Sequence, residues 1–152
     1  TMYQIDATDR EILELLKKDA RISYSDIAEE VHLSRVAVRE RILQMQKNGI
    51  ILGFTVLINS AAYNKSCSVY FDIEVDPYEM DAVAKKLARD PDIAIVAQHS
   101  GMTGFHVHAY IDSLESLSDY MERHLFSIRG IRRVCSNVLI KNYKTTAYLT
   151  SL

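Results

Sequence analysis

The sequence predicts an α+β fold in two parts, in which three short helices precede a domain with the element order β-α-β-β-α-β. Two observations carry this prediction. Before Gly49, apolar side chains recur at helical spacing, and each run follows a residue type that commonly caps a helix. After Gly49 the spacing changes to the alternation that is typical of half-buried strands, broken by two further helical runs. With 152 residues and 48% hydrophobic content, the chain can build two small cores.

The three N-terminal helices are predicted from their caps. The predicted N-cap residues are Thr8, Ser23 and Ser34. Glu11 would complete a capping box with Thr8, and the first helix would end near Lys18. The second helix is only about two turns long. The third is predicted to run to about Asn48, where Gly49 stops it.

The second and third helices, joined through His32 and Leu33, match a helix-turn-helix, whose second helix enters the major groove of DNA. One side of the third helix is predicted to pack on the other two helices through Val38, Ile42 and Met45. Arg39 lies well away from that side, and Arg35 lies nearer its boundary in the first turn, so that both long side chains can reach outward. A guanidinium placed there could grip a phosphate or read a guanine. The alternative interpretation is an ordinary solvated basic helix face.

These positions give a set of candidate DNA contacts. The candidates for contact in the groove are Ser34, Arg35, Val36 and Arg39. Arg21 and Tyr24, at the entry to the second helix, are candidates for contact with the DNA backbone, although Tyr24 could equally fill space in the core. Arg41 flanks the buried side of the third helix. It is interpreted as structural, since it could meet Asp6 or Asp9.

The second half of the chain is predicted to fold as a ferredoxin-like domain, because its elements follow that order. The predicted elements are a strand over 67–75, a helix opened by Asp76 and Pro77, a hairpin over 93–111, a helix opened by Ser113 and a strand over 131–143. The chain is therefore divided into a helix-turn-helix domain over 2–52, a linker strand over 53–65, and the ferredoxin-like domain over 66–152.

Three stretches resemble the Lrp/AsnC, or feast/famine, regulators of bacteria and archaea: "IDATDREILELLKKDARIS", "DIAEEVHLSRVAVRERI" and "NGIILGFTVLIN". The resemblance extends over essentially the whole chain. It implies a winged helix-turn-helix, a linker strand, and a C-terminal domain that dimerises and builds tetramers, octamers or larger rings. It also implies that a small molecule, usually an amino acid or a related metabolite, binds between C-terminal domains and alters assembly or DNA affinity.

The resemblance places the effector site in the loop of the predicted hairpin. The candidate effector-binding residues are Ser100, Gly101, Met102, Thr103, Gly104 and His106. The family commonly carries Gly-Asp-x-Asp-Tyr here, whereas this chain has Met102 and Gly104 where acidic residues usually stand. The effector is therefore left open between an amino acid, a different metabolite and none.

A histidine cluster follows the same loop. A four-residue hairpin loop at 101–104 predicts that His99 faces His106, with His108 on the same side two residues on. Interface packing or effector contact is the favoured interpretation. A metal-responsive regulator using these three imidazoles is one alternative. A tetrapyrrole enzyme similar to the sirohaem decarboxylases, which share this fold, is another.

The composition adds further expectations. The formal net charge of -2 does not indicate nucleic-acid binding by the chain as a whole, so local geometry must carry that function. Cys67 and Cys135 lack the spacing of a metal site. No apolar run approaches the ~20 residues that span a bilayer. The prediction is a cytoplasmic, sequence-specific DNA-binding transcriptional regulator that is not an enzyme, needs no cofactor, and is controlled by a small-molecule effector through oligomer assembly.

Overall fold

The computed structural model describes residues 3–101 and 103–144 of the chain. The chain divides into two compact units, and the division falls between Leu57 and Ile58. No helix in the described residues is long and apolar enough to cross a membrane.

The N-terminal unit contains the three predicted helices, α1 (Ala7–Lys18), α2 (Tyr24–Glu30) and α3 (Arg35–Lys47). Their inward sides share one core, formed by Ile12, Leu16, Ile27, Ala28, Val38, Ile42 and Met45. The predicted packing of Val38, Ile42 and Met45 is therefore confirmed. Each of these three side chains is fully buried. Since short helices are marginal by themselves, this shared apolar core is what stabilises the unit.

The caps of α2 and α3 are confirmed and that of α1 is corrected. Ser23 and Ser34 accept hydrogen bonds from the backbone N–H groups of Asp26 and Ala37, each at 3.1 Å. For α1 the N-cap is Asp6 rather than Thr8. The Asp6 carboxylate accepts from the Asp9 N–H at 2.8 Å, and the Asp9 carboxylate accepts from the Asp6 N–H at 3.2 Å. The carboxylate pair makes the reciprocal box two residues earlier than predicted, so Thr8 lies inside the helix.

The turn between α2 and α3 depends on His32, whose φ of 55° is left-handed. The Leu33 N–H donates to the Ala28 carbonyl at 3.0 Å, and the His32 N–H donates to the Glu29 carbonyl at 3.4 Å. This pair of bonds is the Schellman arrangement, which satisfies the last carbonyls of a helix. The end of α3 repeats it with Gly49, whose φ is 70°.

The predicted linker strand over 53–65 is not found in this chain. Residues 52–59 have no regular secondary structure, and Ser60–Tyr63 form a 3-10 helix. A strand must place its backbone N–H and C=O groups on a partner strand, and the described residues supply none for this segment. The segment nevertheless exposes large apolar side chains, namely Leu52, Phe54, Val56, Leu57 and Ile58.

The C-terminal unit is built on a four-stranded antiparallel sheet, as the predicted ferredoxin-like order requires. The strands are β1 (Cys67–Val75), β2 (Ile93–Gln98), β3 (Gly104–Ile111) and β4 (Ile131–Val138), in the order β2-β3-β1-β4. The helices are α4 (Met80–Leu87), which follows a 3-10 turn at Pro77–Glu79, and α5 (Leu117–Tyr120), which continues as a π-helical turn at Met121–Phe126.

The two faces of this sheet differ. The alternate β1 residues from Cys67 to Val75 are buried and pack with Val83 and Leu87 of α4 and with Tyr120 and Leu125. The other β1 residues, including Ser68, Tyr70, Asp72 and Glu74, lie on the opposite side, which is called the outer sheet face below. The predicted strict alternation of β1 is therefore confirmed.

The last helix starts later than predicted. Ser113 and Ser116 bond to each other's backbone in a turn, with the Ser116 hydroxyl donating to the Ser113 carbonyl at 2.8 Å. As a result α5 begins at Leu117, and Leu114 is exposed.

Candidate nucleic-acid interface

The predicted groove residues lie on the exposed surface of α3, outside its buried stripe. Arg35 and Arg39 are exposed. Among the described residues, neither guanidinium has a hydrogen-bond or ion-pair partner. Val36, next to Arg35, exposes 75% of its surface. Two uncommitted guanidinium groups and an aliphatic side chain can thus approach a ligand together.

Ser34 lies at the N-terminal end of α3, where it is exposed and caps the helix through its hydroxyl. The unpaired N–H groups and the positive end of the helix dipole favour an anion at this end. The Ser34 hydroxyl is therefore used in the cap. The helix end that it caps can bind a phosphate.

The two candidate backbone contacts differ in surroundings. Arg21 is exposed, and its backbone N–H donates to the Asp19 carboxylate at 2.8 Å, which fixes the loop between α1 and α2. Tyr24 is half-buried and packs against the helical core. The ring of Tyr24 thus fills space in the core, one of the two predicted roles, and only its exposed part remains for a ligand.

Arg41 is structural, as predicted. Its Nη1 donates to Asp6 at 2.7 Å and to Asp9 at 2.8 Å, the two carboxylates that cap α1. Asp9 is 1% exposed and also accepts from the Tyr3 hydroxyl at 2.9 Å. These hydrogen bonds raise the pKa of Arg41. The backbone hydrogen bond from Asp9 and the Arg41 guanidinium lower the pKa of Asp6. The ion pairs tie α3 to the start of α1.

The predicted effector loop is exposed at Ser100, Gly101 and Thr103. Met102 lies outside the described residues. Gly104 is buried at the start of β3, where a Cβ would overlap the backbone carbonyl oxygen of Ile73. Glycine is therefore required at this position by the close approach of β1, whether or not a ligand is bound.

The predicted facing of His99 and His106 is wrong. Ala97 lies opposite His106, and Gln98 lies opposite Phe105. The hairpin loop is longer than four residues because β2 already ends at Gln98, so His99 falls in the loop. Within the described part of the chain, no group of three His, Cys, Asp or Glu residues could hold a metal ion. The geometry therefore gives the metal-responsive alternative no support.

His106 and His108 do share the outer sheet face, as predicted, and take part in a column of four rings called the ring ladder: Tyr110, His108, Tyr70 and His106. His108 Nε2 lies 2.7 Å from the Ser68 hydroxyl, and His106 Nδ1 lies 3.4 Å from Asp72. His108 is only 7% exposed. Burial lowers its pKa, and the neighbouring His106 lowers it further. Ser68 was missed by the sequence analysis, although it alternates with Tyr70 on β1.

Two family models match the chain. The AsnC-type helix-turn-helix domain matches residues 5–46. The Lrp/AsnC ligand binding domain matches residues 68–149. The chain belongs to the Lrp/AsnC family. The predicted family and fold class are thus confirmed, and the protein is a DNA-binding transcriptional regulator with a ligand-binding domain.

Named members of the Lrp/AsnC family are similar to most of the chain. The HTH-type transcriptional regulator LrpA of Pyrococcus horikoshii is 29% identical over 92% of this chain and 99% of its own length. An uncharacterised HTH-type transcriptional regulator of Pyrococcus furiosus is 30% identical over 89% of this chain and 91% of its own length. Because these relatives are transcriptional regulators, the comparisons do not favour the tetrapyrrole-enzyme alternative.

Solved Lrp/AsnC structures share the fold. AsnC of E. coli has a TM-score of 0.88 at 20% identity and covers 95% of this chain and 97% of its own. A regulator from Neisseria meningitidis in complex with L-Met has a TM-score of 0.87 at 21% identity, with 97% of each chain covered. The feast or famine regulatory protein of M. tuberculosis complexed with L-methionine has a TM-score of 0.86 at 21% identity, with 95% and 97% covered.

Proposed function

We propose that α3 reads its operator in the major groove through Arg35, Val36 and Arg39, with Ser34 at the helix end beside a phosphate. The observation that carries the proposal is the exposure of two guanidinium groups on α3, outside its buried stripe and without a partner among the described residues. A guanidinium can bond guanine at two points, and an aliphatic side chain can contact the thymine methyl group. Arg21 and the exposed part of Tyr24 would contact the DNA backbone.

The experiment that tests this proposal is selection of binding sites from a pool of randomised duplexes with the full chain. Groove contacts predict that a defined motif becomes enriched. Since half-site readers that pair follow the symmetry of their dimer, we expect the motif to be an inverted repeat. A pool that gains no motif over successive rounds would contradict base readout by α3.

The second part of the proposal is self-association. The apolar segment formed by residues 52–58 needs a partner for its backbone groups and its exposed side chains, and the same segment of a second copy offers both.

The outer sheet face is the second surface proposed for contact between copies. A four-stranded sheet with a nine-residue central strand measures about 30 by 19 Å. Its flat area is therefore roughly 570 Å², about 70% of the ~800 Å² that each partner buries in a standard interface. Tetramers or octamers would follow from dimers that use both surfaces.

The third part of the proposal concerns the effector. We infer that an amino acid or related metabolite binds at the loop of residues 100–104 beside His106. The support comes from the Lrp/AsnC ligand-binding model and from the two similar regulators whose structures hold L-methionine. An effector acts only if it binds one assembly more tightly than another. Thermal denaturation of the full chain with each amino acid, L-methionine first, tests this part, and a screen without a stabilising compound would contradict it.

The proposed setting is the cytoplasm, where a DNA-binding regulator meets its operator. The regulators named among the relatives support a protein without catalytic activity. Purified chain that carries no tetrapyrrole absorption band and leaves sirohaem unchanged is the expected result. Turnover of sirohaem would overturn it.

A further inference from the structure

The ring ladder differs from the exposed aromatic side chains on which single-stranded nucleic acids stack their bases. Tyr70 is inserted between two imidazoles, with ring centroids 5.0 Å from His106 and 4.2 Å from His108. Tyr110 continues the column at 4.7 Å from His108. Because the rings turn their faces toward one another, those faces are not free to stack on the bases of a single strand. The ladder therefore suits contact with a protein surface.

We propose that the ring ladder is a proton-responsive contact between two copies of this chain. Their outer sheet faces close on each other while His106 and His108 are neutral, and they separate when both imidazoles are charged. This inference rests on the self-association proposed above and adds its regulation. The occupant is a second copy because the flat area of the face, roughly 570 Å², is about 70% of what each partner buries in a standard interface. In addition, its fixed charges nearly cancel, with Asp72 and Glu74 against Arg133.

His108 is the residue that responds most strongly to closure. It is almost fully buried in a single copy, between the rings of Tyr70 and Tyr110, with the Ser68 hydroxyl as its hydrogen-bond partner at 2.7 Å. A second copy over the outer sheet face would remove its remaining contact with water. Burial already lowers the pKa of this imidazole, and further burial acts in the same direction. Closure therefore favours the neutral ring and releases a proton from a charged one.

The groups that face the two imidazoles do not offset this effect. The titratable and charged ones are Tyr70, Asp72 and Glu74 from β1, Tyr110 from β3, and Arg133 and Cys135 from β4. From β2, the facing residues are Ile95 and Ala97, which do not titrate.

Only one facing carboxylate remains for the imidazoles. Glu74 is paired with Arg133 at 3.2 Å, which leaves Asp72 beside His106. If both imidazoles were charged, one cation on each face would be enclosed without a counter-charge. Burying an unpaired charge is costly, so the closed pair of faces would open.

The direction of the pH dependence follows because closure of the two faces favours the neutral imidazole. Burial already holds the pKa of His108 below the ordinary histidine value of about 6.5 in a single copy. Assembly is therefore strongest above that ordinary value, and it weakens as the pH falls through the lowered pKa of the open copy. The test is sedimentation of the full chain at pH 7.5 and at pH 5.5, at constant ionic strength. The dissociation constant of the assembly is expected to rise at the lower pH, by at most ~10-fold per pH unit for each linked proton.

Variants distinguish the effect of charging the ring-ladder histidines from the effect of other titrating groups. The double variant His106→Gln/His108→Gln is expected to assemble with little dependence on pH. His108→Phe, which keeps a ring in the ladder, is a second variant with a reduced response, in case the double variant does not fold. The matched control is His124→Gln, because His124 bonds to Asp90 on the helix side of the sheet and should leave the wild-type response unchanged.

Two different failures can be told apart. A chain that stays monomeric at both pH values would overturn the proposed self-association. A chain that assembles equally well at both pH values, or whose pH response survives in both ladder variants, would overturn the ring ladder as the responsive contact while leaving the assembly in place.

Discussion

Arg41 on α3 donates to Asp9 on α1 at 2.8 Å, and Asp9 is 1% exposed. Arg41→Ala would leave a buried carboxylate without its cation, which costs about 3 kcal/mol in comparable cases. We therefore expect the free energy of unfolding of the N-terminal unit to fall by ~3 kcal/mol. Chemical denaturation followed by circular dichroism measures it. Arg39→Ala is the matched control, since an exposed arginine on the same helix should change stability by less than ~0.5 kcal/mol. Equal stability of the two variants would contradict the structural role of Arg41.

The same contact should respond to acid. The pKa of Asp6 is lowered by the backbone hydrogen bond from Asp9 and by Arg41. A carboxylate with a lowered pKa stabilises the fold above its unfolded pKa, near 3.8, and loses that contribution as the pH falls through the folded value. We expect the stability difference between the wild type and Arg41→Ala to be full at pH 7 and to shrink below pH ~4. Denaturation curves over pH 3–7 measure the difference, and one that is constant over this range would contradict the account.

Gly104 is required by packing rather than by ligand chemistry. A methyl group at Gly104 would overlap the Ile73 carbonyl oxygen, so Gly104→Ala should force β3 away from β1 and cost about 2 kcal/mol or more. Gly101→Ala is the control, because a Cβ there would meet only His99 Nδ1 at 3.8 Å. Thermal denaturation of both variants is the measurement. If both were tolerated equally, the close approach of β1 and β3 would be wrong.

The turn of the helix-turn-helix stores strain at His32, whose φ is 55°. Glycine adopts this conformation without a steric penalty, so His32→Gly should stabilise the unit by ~0.5–1 kcal/mol. His32→Val should destabilise it, because β-branched side chains resist left-handed φ values. The shift of the urea midpoint measures both, and a stabilising valine would argue against a left-handed turn.

Local signals in the sequence predicted much of the fold. Ser23 and Ser34 could be predicted as caps because each hydroxyl and the backbone N–H that donates to it lie within one turn of the chain. The alternation of apolar and polar residues along β1 likewise predicts directly which side of the strand is buried. Thr8 failed as a cap because two aspartates nearby, Asp6 and Asp9, form a better reciprocal box, and they are further held by Arg41 from a helix distant in sequence.

What the sequence could not predict depends on pairing between distant segments. The prediction that His99 faces His106 was wrong because the register of β3 is set jointly by β1 and β2, not by the length of a turn. The ring ladder arises because Tyr70 on β1 lies opposite His108 on β3, a relationship that only the register of the sheet defines. Residues 53–65 form no strand, because the described part of the chain offers their backbone groups no partner strand.

The central claim, that α3 reads DNA with Arg35 and Arg39, is tested most directly by the affinity of Arg39→Ala for the selected operator and for an unrelated duplex. If Arg39 contacts a base, the variant should lose ~1–3 kcal/mol of binding free energy on the operator, far less on the unrelated duplex, and nothing in assembly. Equal loss on both sequences would make Arg39 a phosphate contact. Unchanged affinity for both would contradict the claim.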